Sequence, residues 1–277
     1  MLIDDIITRA LAEDLGDGDH TSLACIPADA QGKARLLVKE PGIIAGIEIA
    51  RRVFEKVDKK TIFTQILNDG DIINPGDIAF TVEGNPVSIL SSERLALNFM
   101  QRMSGIATKT YQMQKLLEGL NTKLLDTRKT TPNLRTIEKM AVKMGGGENH
   151  RFGLFDMIMI KDNHVDFSGG IVNAINNVKN YLKARNKDLK IEIEVRNFEE
   201  LNQVLATGGI HRIMLDNFTP ENLKKAVELI DGRYETEASG GITESTLRIY
   251  AETGVDYISV GSLTHHIKSL DLSLKAF

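Results

Sequence analysis

The chain concentrates basic side chains between residues 128 and 161, in a pattern that could bind an anion. Seven lysines or arginines stand against three acids in this stretch, although the whole protein has a formal net charge of −4 at pH 7. Several of them stand at predicted strand ends or beside a Gly-Gly-Gly loop at residues 145–147. The five side chains that we predict to form an anion pocket are Arg128, Lys129, His150, Arg151 and Lys161.

Three other basic residues of this stretch have a simpler explanation. Arg135, Lys139 and Lys143 follow one another at intervals of four residues, which places their side chains on one side of a helix. We interpret them as a solvated helix face outside the pocket.

Carboxylates follow in the next segment with strand spacing. Glu192 and Glu194 alternate with apolar residues, so both point to the same side of a strand. Glu194 lies nearer the carboxyl end and is the functional candidate. If that side is buried, an isolated charge costs several kcal/mol, and Glu192 is therefore expected to pair with an inward lysine or arginine.

Asp216, in the sequence Leu-Asp-Asn, supplies a second candidate carboxylate. Carboxylate oxygens on neighbouring strands suit Mg²⁺, which is bound partly through substrate oxygens, and they could also accept hydrogen bonds from ribose hydroxyls. Glu194 and Asp216 are thus the predicted magnesium ligands, direct or indirect. His150 and His164 lack metal-ligand spacing with a cysteine or an acid, so no zinc site is predicted.

Two glycine-containing turns are candidates for binding phosphate. Ser239, Gly240 and Gly241 precede a predicted helix, and Gly261 and Ser262 follow the last predicted strand. Glycines let backbone N–H groups approach a phosphate, and a helix N-terminus adds its positive dipole. The alternative is that each glycine pair only turns the chain.

The elements that position these residues change character near residue 105. The first part mixes helices at about 3–15 and 48–57 with extended segments at 32–39 and 61–67 and a hairpin-like segment at 68–84, which is typical of an α+β unit. That hairpin also resembles biotinyl and lipoyl carrier modules but lacks the lysine they modify. A long helix is predicted over 90–120, with a break or domain junction at Gly105, since glycine disfavours a helix interior.

After this helix, strands and helices alternate six times. The predicted strands cover residues 123–126, 157–161, 190–195, 212–216, 234–238 and 257–261. Such alternation indicates parallel strands with right-handed crossovers. An incomplete or smaller barrel and an open doubly wound sheet both remain compatible with it. In either fold the candidate residues follow the strands at their carboxyl ends, where active sites lie.

Composition excludes several classes of function. The net charge of −4 and the absence of a long basic run argue against a nucleic-acid surface. Cys25 is the single cysteine, so no intramolecular disulfide can form and a cytoplasmic location is expected. The first residues lack the features of a signal peptide, and no apolar run reaches the roughly twenty residues that span a bilayer.

Eight segments occur in one order and carry a family resemblance. They are SSERLALN at 91–98, SGIAT at 104–108, DTRKTTP at 126–132, GGGENHRFGL at 145–154, IKDNH at 160–164, EIEV at 192–195, LDNF at 215–218 and ASGGI at 238–242. Together they closely resemble the quinolinate phosphoribosyltransferases over nearly the whole chain. Asn133 stands where the family usually has glycine, and we expect little effect because asparagine tolerates a left-handed backbone.

The resemblance implies an α/β fold with two domains. An N-terminal α/β sandwich domain would cover residues 1–105, with the tail 266–277 packing back on it, and an open barrel of six or seven strands would cover 106–265. The implied reaction converts quinolinate and 5-phosphoribosyl 1-diphosphate to nicotinate mononucleotide, diphosphate and CO₂ with Mg²⁺, in de novo NAD biosynthesis.

The resemblance also implies roles for single residues. Glu194 and Asp216 would lie at the ribose, and Mg²⁺ together with Lys129 or Lys161 would steady the leaving group. Arg94, which the sequence alone would explain as a surface charge beside Glu93, would reach the pocket of a neighbouring subunit, so the site would be shared in a homodimer or a larger assembly. The full set of predicted substrate-binding residues is Arg94, Arg128, Lys129, His150, Arg151, Lys161, His164, Glu194, Asp216, Ser239, Gly240, Gly241, Gly261 and Ser262.

Three alternatives remain at this point. A phosphoribosyltransferase-like protein associated with molybdenum transport would keep the phosphate loops but alter the dicarboxylate pocket, and the intact segments at 127–132 and 149–151 argue against it. A Schiff-base lyase could use Lys161, although such lysines need apolar surroundings or a cationic neighbour. A non-catalytic binding protein would leave Glu194 and Asp216 unexplained.

Overall fold

The computed structural model describes residues 3–277 of the chain. Up to the end of the long central helix, the elements are α1 Ile3–Leu15, α2 His20–Cys25, β1 Gly32–Val38, β2 Gly42–Ile43, α3 Ile47–Val57, β3 Ile62–Gln65, β4 Ile72–Ile73, β5 Ile78–Gly84 and α4 Pro86–Lys115. The elements that follow are β6 Lys123–Leu125, α5 Arg135–Met144, β7 Ile158–Ile160, α6 Asp162–Ser168, α7 Ile171–Arg185, β8 Ile191–Val195, α8 Phe198–Thr207, β9 Arg212–Asp216, α9 Pro220–Ile230, β10 Glu235–Ser239, α10 Leu247–Ala251, β11 Tyr257–Ser259, α11 Ser262–His265 and β12 Leu272–Ala276.

The chain forms two compact units, each built from separate stretches of sequence. The first unit comprises residues 1–112, 129–147 and 262–277, and the second comprises 113–128 and 148–261. The domain ranges 1–105 and 106–265 stay a prediction. Within residues 3–277, no helix combines the length and the apolar character required to cross a bilayer.

The first unit contains an antiparallel sheet of four strands in the order β12-β1-β5-β3. Leu36 of β1 and Phe80 of β5 are buried on it, and the ring of Phe54 in α3 lies 6.0 Å from that of Phe80. The last strand, β12, pairs with β1 so that Leu274 lies opposite Leu36. Residues more than 230 positions apart in the sequence therefore pair in one sheet.

The segment 68–84 is not a hairpin, so that prediction is wrong. β4 pairs with β2, with Ile73 opposite Gly42, whereas β5 lies between β1 and β3. A two-residue β4 offers little pairing to β5, which has seven residues and pairs along its length with β1 and β3. A turn in which Asp77 N donates to the carbonyl of Asn74 at 3.1 Å joins β4 and β5, which belong to different sheets.

Helix α4 runs without a break through Gly105, so of the two predicted alternatives the break is wrong, and the domain junction stays a prediction. The glycine serves close packing instead. A Cβ atom at this position would collide with the backbone carbonyl of Lys268 and would lie 3.2 Å from the Cα of Ser269. Glycine costs a helix about 1 kcal/mol of stability relative to alanine, but no larger residue fits beside that backbone.

The second unit confirms the predicted alternation of strands and helices. Its six parallel strands lie in the order β6-β11-β10-β9-β8-β7. β6, the first of them, pairs with β11, the last, so the sheet turns back on itself and its two edges are β6 and β7. An isolated parallel bridge between Leu125 and Glu148 adds one residue pair on the outer side of β6. The structure thus selects the incomplete barrel over the open doubly wound sheet.

We expect Gly105→Ala to destabilise the protein by about 1–3 kcal/mol, the usual cost of overpacking, because the added methyl group meets the Lys268 carbonyl. Chemical unfolding measures the free-energy difference. Gln112→Ala, at an exposed position of the same helix, is the control and should change stability by no more than about 0.5 kcal/mol. A Gly105→Ala variant as stable as this control would contradict the close approach.

Candidate active site

Opposite charges meet where β7 and β8 end. These strands pair in parallel, with Ile160 opposite Ile193, so Lys161 and Glu194 follow at the same end of the sheet. Lys161 Nζ lies 3.1 Å from Glu194 Oε2. Burial raises the pKa of Glu194, Lys161 opposes this rise, and the negative charge of Asp216 adds to it. Glu194 and Asp216 are therefore close enough to act on each other electrostatically.

Asp216 and Ser239 lie side by side at the ends of β9 and β10. Asp216 Oδ2 accepts a hydrogen bond of 2.6 Å from the Asn217 side chain, and Asn217 N donates to the carbonyl of Ser239 at 2.9 Å. The structure therefore brings Glu194, Asp216 and Ser239 together at the carboxyl ends of three adjacent strands.

The glycine pair after β10 is required by backbone geometry. Gly240 and Gly241 have φ angles of 100° and 62°, a region that side chains disfavour, and a Cβ atom at Gly240 would collide with the Asn217 side chain. The helix expected directly after them does not form there. A turn linked by Thr243 N donating to Thr246 Oγ1 at 3.0 Å comes first, and α10 begins at Leu247 and has only five residues.

The prediction that a helix dipole supports this loop is therefore wrong. Hydroxyl side chains at residues 243–246 compete for the backbone and delay the helix. The assignment of phosphate binding to Gly240, Gly241, Gly261 and Ser262 stays a prediction.

Two arginines of the predicted anion pocket lie near each other. Burial lowers the pKa of Arg151, and the positive charge of Arg128 lowers it further. Arg151 Nη1 also donates to the carbonyl of Met157 at 3.3 Å. Two like charges held close together favour an anion between them, so this part of the predicted pocket has the expected electrostatics.

His150 faces the interior of the barrel. It is 8 % exposed, and its Nε2 lies 3.0 Å from Glu192 Oε2 and 3.3 Å from Glu237 Oε2. Those glutamates belong to β8 and β10, which are separated by β9. One imidazole can touch both strands only if the sheet is curved and the ring lies on its concave side.

The surroundings of His150 act on its protonation in opposite directions. Burial lowers its pKa, but the close contacts and charges of Glu192 and Glu237 outweigh burial and raise the pKa to about 9. Nδ1, however, accepts a 2.7 Å hydrogen bond from Arg151 N, which a protonated Nδ1 could not do. Since this contact fixes which atom can carry a proton, we assign one proton, on Nε2, facing the carboxylates.

Protonation of a carboxylate can also reduce the negative charge of this cluster. Burial and the charge of Glu237 raise the pKa of Glu192 to about 7, so this carboxyl can hold a proton near neutral pH. Glu192 was predicted to pair with an inward lysine or arginine. The nearest ionisable partner is instead His150, whose Nε2 lies 3.0 Å from Glu192 Oε2 without hydrogen-bond geometry, and Arg212 acts on Glu192 only through its charge.

Sequence reasoning missed two residues of this cluster, Arg212 and Glu237. Arg212 Nη1 lies 3.1 Å from Glu237 Oε2, Arg212 Nη2 lies 2.9 Å from Glu235 Oε2, and the guanidinium carbon lies 4.0 Å from the centre of the Tyr257 ring. The signal was present in the sequence, since Glu235 and Glu237 alternate in β10 as Glu192 and Glu194 do in β8.

In the first unit, a buried ion pair fixes the loop after Lys129. Arg102 contacts Glu138 Oε1, Nε at 2.7 Å and Nη2 at 2.6 Å, and Nη2 also donates to Thr131 Oγ1 at 2.8 Å. Thr131 N donates to Glu138 Oε2 at 3.0 Å. The carbonyl of Lys129 accepts from Thr264 Oγ1 at 2.8 Å, so the backbone of Lys129 is held while its side chain is exposed. Asn133, in the same loop, adopts the expected left-handed backbone with φ of 65°.

The solvated face predicted for α5 is wrong for Lys139, which is 2 % exposed. Arg135 is partly buried, with its Nε donating to Thr130 Oγ1 at 3.0 Å, and only Lys143 is exposed. A spacing of four residues identifies one side of a helix but carries no information about which part of the fold covers it.

The remaining predicted site residues have separate positions. Arg94 is exposed on α4, and Ser262 is the first residue of α11. His164 is exposed, and its Nδ1 accepts a 2.9 Å hydrogen bond from Lys161 N at the start of α6. This local contact holds the backbone that carries Lys161.

Comparison with known proteins gives matches over almost the whole chain. The family model described as the N-terminal domain of quinolinate phosphoribosyl transferase matches residues 19–104, and that of the C-terminal domain matches residues 106–275. The chloroplastic "Nicotinate-nucleotide pyrophosphorylase [carboxylating]" of Arabidopsis thaliana is 48 % identical over 98 % of this chain and 81 % of its own length.

Bacterial proteins are similar as well. The "Probable nicotinate-nucleotide pyrophosphorylase [carboxylating]" of Bacillus subtilis is 40 % identical over 97 % of this chain and 91 % of its own length. The crystal structure of NadC from Streptococcus pyogenes is 41 % identical, covers 99 % of this chain and 95 % of its own, and superposes with a TM-score of 0.94.

Proposed function

The chain belongs to the quinolinate phosphoribosyltransferase family, and on this premise we propose how its own side chains carry out the family reaction. The enzyme transfers the phosphoribosyl group of 5-phosphoribosyl 1-diphosphate to quinolinate with decarboxylation. The products are nicotinate mononucleotide, diphosphate and CO₂, and the reaction is a step of de novo NAD biosynthesis. Its substrates are small molecules.

One observation supports our assignment of the site above all others. Acids and bases that sequence reasoning selected independently meet at the carboxyl ends of adjacent parallel strands, with Lys161 and Glu194 in contact at 3.1 Å. This end of a βα barrel is where active sites form, because the loops that follow the strands converge there.

The cationic group is proposed to bind the two carboxylates of quinolinate. Arg128, Arg151 and Lys161 supply charge-assisted hydrogen bonds, and arginine can bind a carboxylate with two parallel bonds. His150 belongs to the same pocket but is largely buried, so it acts from the barrel side. The mutual repulsion of Arg128 and Arg151 is relieved when an anion lies between them.

The acids are proposed to act on the sugar. When the bond between the anomeric carbon and the diphosphate oxygen breaks, positive charge develops on the ribose, and the Glu194 carboxylate stabilises it electrostatically. Asp216 accepts hydrogen bonds from the ribose hydroxyls. The pyridine nitrogen then forms a bond to the anomeric carbon and becomes a cationic pyridinium.

Decarboxylation follows from that cation. The bond from ring carbon 2 to its carboxylate breaks, CO₂ leaves, and the electron pair stays on the carbon beside the positive nitrogen, where it takes up a proton. No covalent bond to the protein is needed. Lys129 and Lys161 are proposed to hold the departing diphosphate, and the turns at 239–241 and 261–262, together with His164, are proposed to bind the phosphate end of the substrate.

Magnesium is the proposed cofactor. Glu194 and Asp216 offer carboxylate oxygens at the ends of paired strands β8 and β9, a hard donor set of the kind that holds Mg²⁺ together with substrate oxygens. Their charges already act on each other, which a dication would relieve. When bound, Mg²⁺ would neutralise charge on the diphosphate.

The assembly and the location are also proposals. Arg94 is exposed on α4, and we propose that it enters the pocket of a second copy, which makes the enzyme a homodimer with a shared site. A cytoplasmic location is supported by the single, exposed Cys25, which shows no use of disulfides among the described residues.

Arg151→Ala should lower kcat/KM for quinolinate by about ten- to a hundredfold, because it removes a charge-assisted contact worth about 1.5–3 kcal/mol. Nicotinate, which has one carboxylate fewer, should be a poor substrate of the wild type. CO₂ release and nicotinate mononucleotide formation measure both effects. Arg185→Ala, on the surface helix α7, is the control; wild-type kinetics in Arg151→Ala, or a preference for nicotinate, would contradict the assignment.

Glu194→Gln should keep quinolinate affinity but lose turnover, because its carboxylate is assigned to the ribose and to Mg²⁺ rather than to the pyridine acid. Isothermal titration with quinolinate and activity at increasing Mg²⁺ separate these effects, and chelation of Mg²⁺ should abolish wild-type turnover. Glu199→Gln, on the exposed start of α8, is the control. An equal loss of quinolinate affinity in Glu194→Gln would show that the acid is misplaced.

Mixing inactive Arg94→Ala and Lys161→Ala proteins should restore activity after subunits exchange, because some hybrid sites inherit both residues intact. Random assortment makes half of the dimers hybrids with one complete site of two, so the ceiling is roughly a quarter of wild-type activity. Exchange is verified by mass spectrometry of differently labelled chains. Proven exchange without recovery would mean that Arg94 does not act in a neighbouring chain.

A further inference from the structure

The interior of the open barrel holds a chain of charged contacts that the proposed chemistry does not use directly. Arg212 Nη1 lies 3.1 Å from Glu237 Oε2, and the same oxygen lies 3.3 Å from His150 Nε2. On its other side the His150 ring accepts the Arg151 N–H at 2.7 Å. The contacts therefore run from Arg212, the first residue of β9, to the backbone of Arg151, which is proposed to bind quinolinate.

We propose that Glu237 is a positioning residue of this enzyme, which holds the His150 ring and, through it, the loop that presents Arg151 to quinolinate. The inference rests on the proposed function in one respect, the assignment of Arg151 to the dicarboxylate. Glu237 itself touches neither substrate, because it is fully buried in the middle of β10.

The loop needs such a support because it has no regular structure of its own. Residues 149–157 form neither helix nor strand, so no backbone ladder fixes Arg151. Two contacts of His150 replace it: its backbone N donates to Asp126 Oδ1 at 2.9 Å, and its ring accepts from Arg151 N. The first holds the backbone of the loop, whereas the second depends on where the ring points.

Glu237 is better suited than Glu192 to set the direction of the ring. Glu192 lies at a similar distance, 3.0 Å, but Arg212 makes no direct contact with it and lowers its pKa only through its charge. Glu237 is fixed from a further side, because Arg212 Nη1 of β9 donates to Glu237 Oε2 at 3.1 Å. A carboxylate that is itself anchored on the neighbouring strand can hold a ring that reaches in from a loop.

On its barrel side the ring faces carboxylates, which attract a proton on Nε2. Glu192 and Glu237 approach Nε2, Asp126 binds the backbone of His150, and Arg212 and Arg151 lie beyond them. The ligand atoms of His150, Glu192 and Glu237 lie within 4.8 Å of one another, a spacing that a metal ion could also bridge. The guanidinium of Arg212 already supplies a positive charge to Glu237, so we assign the bridging role to the Nε2 proton.

The test compares Glu237→Gln with Glu235→Gln. Both changes remove a carboxylate of β10 that contacts Arg212, but Glu235 is partly exposed and does not touch His150. Hydrogen exchange followed by mass spectrometry reports on the loop without any substrate. In Glu237→Gln, amides of residues 149–157 should exchange about tenfold faster, because the ring loses the attraction of a carboxylate 3.3 Å from its Nε2, and a tenfold change corresponds to about 1.4 kcal/mol. Glu235→Gln should leave the loop unchanged.

Kinetics supply the second measurement. Glu237→Gln should raise KM for quinolinate about tenfold while KM for 5-phosphoribosyl 1-diphosphate changes less than about twofold. Glu237→Asp, which keeps the charge, should recover part of the loss. The proposal is overturned if Glu237→Gln behaves like Glu235→Gln, if both KM values rise together, or if exchange accelerates throughout the barrel, since the last two results indicate a general structural role.

Two further outcomes have distinct meanings. A bound metal, found by elemental analysis of the purified protein and essential for the protection of residues 149–157, would overturn the tether by a proton. If the wild type releases no CO₂ from quinolinate, the proposed function fails, but the exchange experiment still decides whether Glu237 holds the loop.

Discussion

The need to compensate buried charge determines how the interior of this barrel is arranged. Glu192 and Glu237 are fully buried, and an uncompensated carboxylate there would be strongly destabilising. Arg212 supplies one positive charge, and His150 supplies a donor that must come from outside the sheet. These contacts hold the His150 loop inside the barrel, and Arg151, the next residue, is positioned with it. The compensation of buried charge therefore also determines the geometry of the site.

The same rule operates in the first unit. Glu138 is fully buried on α5 and is met by the Arg102 guanidinium and by the backbone N–H of Thr131. Its second oxygen therefore fixes the backbone two residues after Lys129. In both units a buried carboxylate immobilises a loop that lacks regular structure, which keeps flexible lysine and arginine side chains on rigid supports. Rigid supports matter for catalysis because misplacing a binding group by about 1 Å can cost a hundredfold in rate.

Much of this architecture is legible in the sequence, and the exceptions share a cause. The six strands of the barrel were predictable because alternation of β-runs and helices is a local signal, and Glu194, Asp216 and Ser239 could be placed together because parallel strands end at one edge. The partner of Glu192 could not be predicted, since it depends on which loop enters the barrel. The predictions for Lys139 and Gly105 were wrong because the burial of one and the close approach of Lys268 to the other depend on tertiary packing. The helix predicted directly after Gly241 does not form because hydroxyl side chains within residues 243–246 bind the local backbone first.

The pairing of β12 with β1 has a consequence for how the protein is made. The sheet of the first unit has β12 at one edge, so Leu36 finds its neighbour Leu274 only after everything between them has left the ribosome. The second unit, by contrast, has all its strands between residues 123 and 259 and can close earlier. During synthesis one edge of β1 therefore stays unpaired until β12 has been made, and an unpaired strand edge can associate with other chains. The pairing of β12 with β1 is therefore the last step in the folding of the first unit.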